Sequence, residues 1–279
     1  MTAFLAPWTH GFMVDALVVG LMVAVLTAIL SCFVVLKGWS LMGDAVSHAI
    51  LPGVVGAYLL GIPLVIGAFV AGFGCALASG AIRATSRIKE DAAMGVVFSG
   101  MFAVGLIMLT QVRSNVHLSH VLFGSILGIE DEDFWQTLAI ATGGLLILAL
   151  RGRDLVLFCF DPGQARIAGL NVARLRLLLL AVLAASIVAG VQAVGVILVV
   201  ALLITPGAIG LLLADRFGRM VWISVAAACT ATVAGIQVSF MLDASTAGSI
   251  VLALTVIFVV ALLVSPRHGL LRRRPAVTK

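Results

Sequence analysis

The chain has 279 residues, of which 62% are hydrophobic and 10% are charged, and its mean hydropathy is +1.24. A soluble domain carries roughly 25% charged residues, so this composition excludes a soluble globular protein and indicates an all-α polytopic membrane protein. The net charge of +5 does not indicate a nucleic-acid partner, because the basic residues cluster at the ends of apolar segments. The four cysteines are scattered singly, which argues against a disulfide framework or a thiolate metal site.

Apolar stretches long enough to cross about 30 Å of hydrocarbon organise the whole chain, which we interpret as a single transmembrane domain over residues 1–279. The segment 41–60 contains Asp44, His48 and Pro52, so it need not be a plain span. The sequence therefore predicts eight or nine transmembrane helices, near 12–36, 41–60, 64–86, 91–110, 134–150, 174–192, 193–214, 220–242 and 249–266.

The distribution of lysine and arginine predicts which ends face the cytoplasm. Basic residues follow the third span, separate 134–150 from 174–192, and precede 220–242. They also fill a basic tail, 267–279, which we place in the cytoplasm. Counting back from this tail puts the N-terminus outside with nine crossings and inside with eight, and both counts stay open.

Asp44 and His48 are the first candidate functional residues. A carboxylate at the bilayer centre costs at least ~2.5–3.5 kcal/mol, so it is rarely there without a use. Positions i and i+4 share one helix face, and an oxygen and a nitrogen ligand make half of a divalent-metal site. Ser47 adds a hydroxyl, and Pro52 should bend the helix and leave the carbonyl of His48 without its helical donor. The alternative is a hydrogen-bonded pair that only fixes helix packing.

Two ligands are too few for a closed metal site, since zinc sites use about four and manganese sites about six. A dimer with this helix near its axis would double the ligand count. Incomplete ligation suits a pathway, because a permeating ion must leave as readily as it enters.

The segment 161–170 is predicted to form a short cytoplasmic helix. Asp161 is placed as the N-cap, Pro162 at the first helical position and Gly169 at the C-terminal stop. Ala165 and Arg166 lie between them. Such a helix is suited to docking in a groove of another protein, and an ordinary surface connector is the alternative.

Two further segments carry polar or helix-breaking residues. Thr205-Pro206 lies deep in an apolar run, where Pro206 predicts a second broken helix that lines a cavity or is a packing kink. On the opposite side from the basic loops, histidines and acids share one loop region that is either an outer docking surface or a solvated loop. These residues are His117, His120, Glu130, Asp131, Glu132 and Asp133.

Together these segments resemble the ABC-3 family, the membrane subunits of bacterial ABC importers for manganese, zinc and iron. The resemblance covers nearly the whole chain, and its first stretch is the most specific. The combination Leu-Lys-Gly-Trp-Ser-Leu-Met-Gly-Asp is most similar to the Sit/Yfe-type manganese and iron branch. The matching stretches are 35–44, 47–53, 86–91, 95–98, 122–124, 193–195 and 205–207.

The resemblance implies a type II importer fold with two permease subunits around a central path lined by Asp44 and His48. It implies a coupling helix at about 161–170 that docks on separate ABC ATPase subunits, so this chain is not itself an enzyme. No GxxxxGK[ST] phosphate loop is present in it. An extracytoplasmic metal-binding protein would deliver the ion at the bacterial cytoplasmic (inner) membrane.

The expected cargo is Mn²⁺ or Fe²⁺, with no permanently bound cofactor, and a Zn²⁺ importer of the same family is the alternative. A proton-coupled secondary transporter or channel, with Asp44 and His48 as a proton relay, is the rival from another class.

Overall fold

The computed structural model describes residues 11–111 and 131–265. Over these ranges the chain forms eleven helices and no strands. They are α1 Gly11–Lys37, α2 Met42–Ala49, α3 Leu51–Leu60, α4 Leu64–Thr85, α5 Glu90–Gln111, α6 Asp131–Phe160, α7 Pro162–Ile167, α8 Val172–Val194, α9 Val196–Leu213, α10 Phe217–Leu242 and α11 Thr246–Val264. An all-helical membrane fold is therefore confirmed.

Eight segments in the described ranges are long and apolar enough to cross a membrane. Their number agrees with the predicted eight or nine, but Met42–Leu60, the doubtful candidate, is among them and the predicted span 134–150 is not. They are Met13–Lys37, Met42–Leu60, Leu64–Thr85, Asp91–Gln111, Val172–Val194, Val196–Leu213, Phe217–Leu242 and Thr246–Val264. The predicted stretch 134–150 lies inside α6, whose 30 residues extend over about 45 Å.

Helix α1 lies at the centre of the bundle, where it packs against α6, α8, α9 and α10. By contrast, α5 and α11 keep most of their surface outside the core of the single chain. Helix α2 packs against α4, α5, α8 and α9, so the candidate site is held by four neighbours.

The predicted bend before Pro52 is confirmed as a break between two helices, since α2 ends at Ala49 and α3 begins at Leu51. Proline has no N–H and cannot continue the hydrogen-bond ladder at this point. The carbonyl of His48 nevertheless accepts the N–H of Ile50. The expectation that this carbonyl lacks a donor is therefore wrong, because the chain turns enough to supply one locally.

The prediction of a second broken helix, at Pro206, is wrong, because α9 runs without interruption through this residue. Hydroxyl groups of neighbouring helices bind the backbone at this position. The N–H of Gly207 donates to Ser31 Oγ at 2.8 Å, and Ser224 Oγ donates to the carbonyl of Pro206 at 2.8 Å. Ser31 Oγ also donates to the carbonyl of Ile204 at 3.2 Å. Pro206 therefore marks a close packing point between α9, α1 and α10.

Candidate functional site

Helix α2 presents Asp44 and His48 on its only open face. The other six residues of this helix are all buried, whereas the side chains of Asp44 and His48 are 46% and 40% exposed. The buried face is held by α4, where Gly72 faces Val46, and by α9, where Leu203 reaches Gly43. Packing on one side therefore directs both potential ligands to the other side.

The two side chains point at each other across an open gap. His48 Nε2 lies 3.4 Å from Asp44 Oδ1, which is longer than the 2.7–3.2 Å typical of an N–H···O hydrogen bond. Two ligand atoms each about 2.1 Å from one ion are about 3.0 Å apart at a right angle and about 3.4 Å apart at a tetrahedral angle. The observed spacing equals the tetrahedral value and exceeds the right-angle value by about 0.4 Å, so both side chains could bind one ion after a small adjustment.

Helix α5 supplies an aromatic wall on one side of the imidazole. The ring centroid of His48 lies 5.5 Å from that of Phe102, with an edge-on geometry, and 6.3 Å from that of Phe98. Helix α5 approaches α3 closely at Gly105, where an added Cβ would lie 2.8 Å from Leu51 Cγ and 2.9 Å from Pro52 Cδ. The sequence interpretation missed this wall, although Phe98 belongs to a stretch that carries the family resemblance.

The supporting residues take different roles from those expected. Ser47 is buried and its hydroxyl donates to the carbonyl of Asp44 at 2.8 Å, so it stabilises the helix backbone. Thr205 is half-buried on α9, and Pro206 packs as described above. No third side chain joins the pair, because the described residues contain no group of three or more His, Cys, Asp or Glu that could hold a metal ion.

The predicted outer residues are described only in part. His117, His120 and Glu130 lie outside the described residues. Asp131, Glu132 and Asp133 form the first turn of α6, so they lie in a helix and not in a loop as predicted. Acidic side chains are favourable in a first turn because they complement the positive end of the helix dipole.

The short helix predicted within 161–170 forms as the local sequence predicts, over Pro162–Ile167. Asp161 Oδ1 accepts the N–H groups of Gly163 at 2.7 Å and Gln164 at 3.0 Å, and Pro162 opens α7. The chain leaves the helix at Gly169, which has a φ of +80°. Of the remaining predicted residues, Ala165 is buried and Arg166 is exposed.

Helix α7 turns an apolar side chain to the outside at the end of the bundle. Ile167 is 89% exposed. Beside it lies a cavity of about 460 Å³, whose lining includes Arg166, Leu170 and Arg176. An exposed aliphatic side chain next to cationic groups is suited to contact with another protein surface.

Long apolar helices make this chain a multi-pass membrane protein, and a partly exposed carboxylate and imidazole lie beside a break between two of its helices. The chain belongs to the ABC 3 transport family, whose profile matches residues 9–265. It is therefore a membrane permease of an ATP-binding-cassette transporter, and the resemblance noted from the sequence is confirmed.

Relatives match over most of their length. The chain is 48% identical to the "Manganese transport system membrane protein MntB" of Synechocystis sp., over 95% of this chain and 87% of that protein. It is 50% identical to the "Chelated iron transport system membrane protein YfeD" of Yersinia pestis, over 92% and 86%. Among solved structures, "PsaBC from Streptococcus pneumoniae in complex with Fab" matches with a TM-score of 0.86 and 34% identity, over 96% of this chain and 98% of that one.

Proposed function

We propose that this chain is the permease subunit of an ATP-driven importer in the bacterial inner membrane. Its cargo is a divalent transition metal, Mn²⁺ first and Fe²⁺ second. The observation that carries the proposal is the Asp44–His48 pair, because its 3.4 Å spacing allows both side chains to bind one ion and both side chains are partly exposed in the single chain.

Two copies of the pair would form the metal path. One chain offers one carboxylate and one imidazole, with no third ligand group among its described residues. Two permease subunits with their α2 helices facing each other would supply two of each, and water would complete the coordination. The second subunit is either the same chain or a paralogue.

The ATP-hydrolysing subunits would contact α7. The cap at Asp161 and the packing of Ala165 fix this helix on the bundle. They leave Arg166 and Ile167 exposed to a partner. On the opposite side, an extracytoplasmic metal-binding protein would release the ion near the residues 117–133.

The preference for manganese and iron is supported by the relatives and not by ligand chemistry. Affinity for divalent ions generally rises from manganese through iron toward copper, so an Asp/His pair does not prefer manganese by strength. The similar proteins of Synechocystis and Yersinia are named for manganese and chelated iron transport. Selection would then rest on the delivery protein and on the geometry of the path.

Radioactive manganese uptake into cells that carry the complete transporter tests the path. Asp44→Ala and His48→Ala should each reduce uptake to background while the permease dimer still assembles. Asp154→Ala is the matched control, since it removes a partly exposed carboxylate whose Oδ2 lies 3.2 Å from Arg151 Nη1 on α6. Wild-type uptake in both α2 variants would disprove the assignment. Competition by unlabelled iron and zinc ranks the preference of the transporter for the three metals.

Dependence on the ATPase separates an importer from a proton-coupled transporter. Arg166→Glu should weaken co-purification of the ATPase subunits and reduce uptake in parallel, because it reverses an exposed charge on α7. Uptake that persists without the ATPase subunits and collapses with the proton gradient would support the rival class.

A further inference from the structure

We propose that Lys37 is a positioning residue that links α7 to the helix carrying Asp44 and His48, and that it couples ATP hydrolysis to metal movement. This inference rests on the proposed function. Lys37 lies in the most specific stretch of the family resemblance, but neither the metal path nor the ATPase contact accounts for it.

Lys37 holds Phe158 by two different contacts. Its Nζ donates to the backbone carbonyl of Phe158 at 2.9 Å and lies 3.9 Å from the centroid of the Phe158 ring. A lysine ammonium at this distance from a ring face is attracted by the π electrons, more strongly where water is excluded. Phe158 is buried and Lys37 is half-buried. The contact therefore joins the cytoplasmic ends of α1 and α6 at a partly buried position.

A short turn with several backbone hydrogen bonds connects Lys37 to the candidate metal helix. Four residues separate the end of α1 from Met42, the first residue of α2. The N–H of Trp39 donates to Val34 at 2.9 Å, and the N–H of Met42 donates to Trp39 at 2.9 Å. Trp39 is only 3% exposed. A turn anchored at both ends has little slack, so a shift of Lys37 is passed on to α2.

The other end of the link reaches α7 over an equally short distance. Phe158 lies three residues before Asp161, whose N–H donates to the carbonyl of Leu157 at 2.9 Å and whose side chain caps α7. Lys37, Phe158 and Pro162 also line one cavity of about 260 Å³. A force on α7 from a bound partner therefore acts directly beside the Lys37–Phe158 contact.

The alternative role for Lys37 is an ordinary interfacial anchor, as expected of any lysine at the cytoplasmic end of a span. Arg83 and Arg176 line the same cavity and provide the comparison. An anchor acts through its charge and its depth, so any of these cations would serve. A link acts through the two contacts that Lys37 makes with Phe158.

The test uses the complete transporter, permease with its ATPase subunits, reconstituted in vesicles with the metal-binding protein and manganese. ATP hydrolysed and metal taken up are measured in the same sample. For Lys37→Met we expect an assembled complex that still hydrolyses ATP, with uptake per ATP lowered about fivefold or more. Lys37→Arg should restore much of the ratio, because a guanidinium also donates to carbonyls and stacks on rings. Arg83→Met is the control and should leave the ratio unchanged.

Three results would overturn the inference. The first is a wild-type ratio in assembled Lys37→Met. The second is an equal loss of the ratio in Arg83→Met, which would make Lys37 an anchor. The third is failure of both Lys37→Met and the neutral donor variant Lys37→Gln to assemble while Lys37→Arg assembles, which would give the residue a folding role. If vesicles with the wild-type transporter show no ATP-dependent uptake, the proposed function is refuted together with this inference. A change confined to Lys37→Met bears only on the coupling role of Lys37.

Discussion

Replacing Gly53 with alanine tests how closely the helix behind the candidate site is packed. Gly53 and Ala57 on α3 face Gly67 and Ala71 on α4, and in both helices the two small residues are four positions apart. Such pairs allow helix backbones to approach closely in membranes. A Cβ on Gly53 would lie 2.1 Å from the carbonyl oxygen of Gly67 and 2.6 Å from Ala71 Cβ.

The size of the effect follows from these distances. A carbon and a carbonyl oxygen in contact are normally about 3.3–3.6 Å apart, so α3 and α4 must separate by about 1 Å. Overpacking of this kind costs ~1–3 kcal/mol, and alanine returns ~0.5–1 kcal/mol by its better helix propensity. We expect a net loss of stability of ~1–2 kcal/mol and reduced metal uptake, because α3 continues directly from α2.

Gly56→Ala on the same helix is the matched control. There an added Cβ would meet only Met108 Cε, at 4.0 Å, so the propensity gain remains and the collision is absent. Apparent melting temperatures in one detergent at one scan rate compare the two variants, since membrane proteins often unfold irreversibly. Gly53→Ala should melt below the wild type, and Gly56→Ala at or above it. Equal melting temperatures for the two variants would refute the packing argument.

Two other substitutions and one labelling experiment have defined outcomes. Asp161→Ala removes the acceptor of two N–H groups and should cost ~1 kcal/mol of α7 stability, seen as weaker co-purification of the ATPase subunits with Asp161→Asn as control. Gly207→Ala would place a Cβ 2.6 Å from the Ser31 carbonyl oxygen and should lower the melting temperature; an unchanged value would contradict the close packing. Burial raises the pKa of the Cys159 thiol to about 12, so only about one thiol in ten thousand is a thiolate at pH 8 and alkylation should be slow; rapid labelling of the folded protein would contradict its burial.

Local chemistry made the cytoplasmic helix predictable. The cap at Asp161, the position of Pro162 and the stop at Gly169 each depend on residues within a few positions of one another. The membrane spans were predictable for a similar reason, since length and apolarity are properties of a single segment. The position of the Asp44–His48 pair on one face followed from helix periodicity alone.

Features that depend on distant segments were not predictable. A helix break was predicted at Pro206 because proline lacks the backbone N–H that an α-helix needs. The helix nevertheless continues, and Ser31 of α1 and Ser224 of α10 form side-chain hydrogen bonds with its backbone there. The Lys37–Phe158 contact joins residues 121 positions apart. Neither residue carries a local signal of its partner, so only the packed bundle reveals the contact.

The position of the aromatic wall relative to the pair bears on how an ion would leave the proposed site. Phe98 and Phe102 flank the imidazole, whereas Asp44 has no such neighbour among the ring contacts of the described residues. An ion bound by a nitrogen with aromatic neighbours and a carboxylate without them would exchange the carboxylate for water first and then be released from the imidazole. Stepwise loss of ligands has a lower barrier than simultaneous loss, because water replaces each ligand before the next one leaves. In the proposed dimer, a half-site of two ligands on each subunit would therefore suit passage of a metal ion better than storage of it.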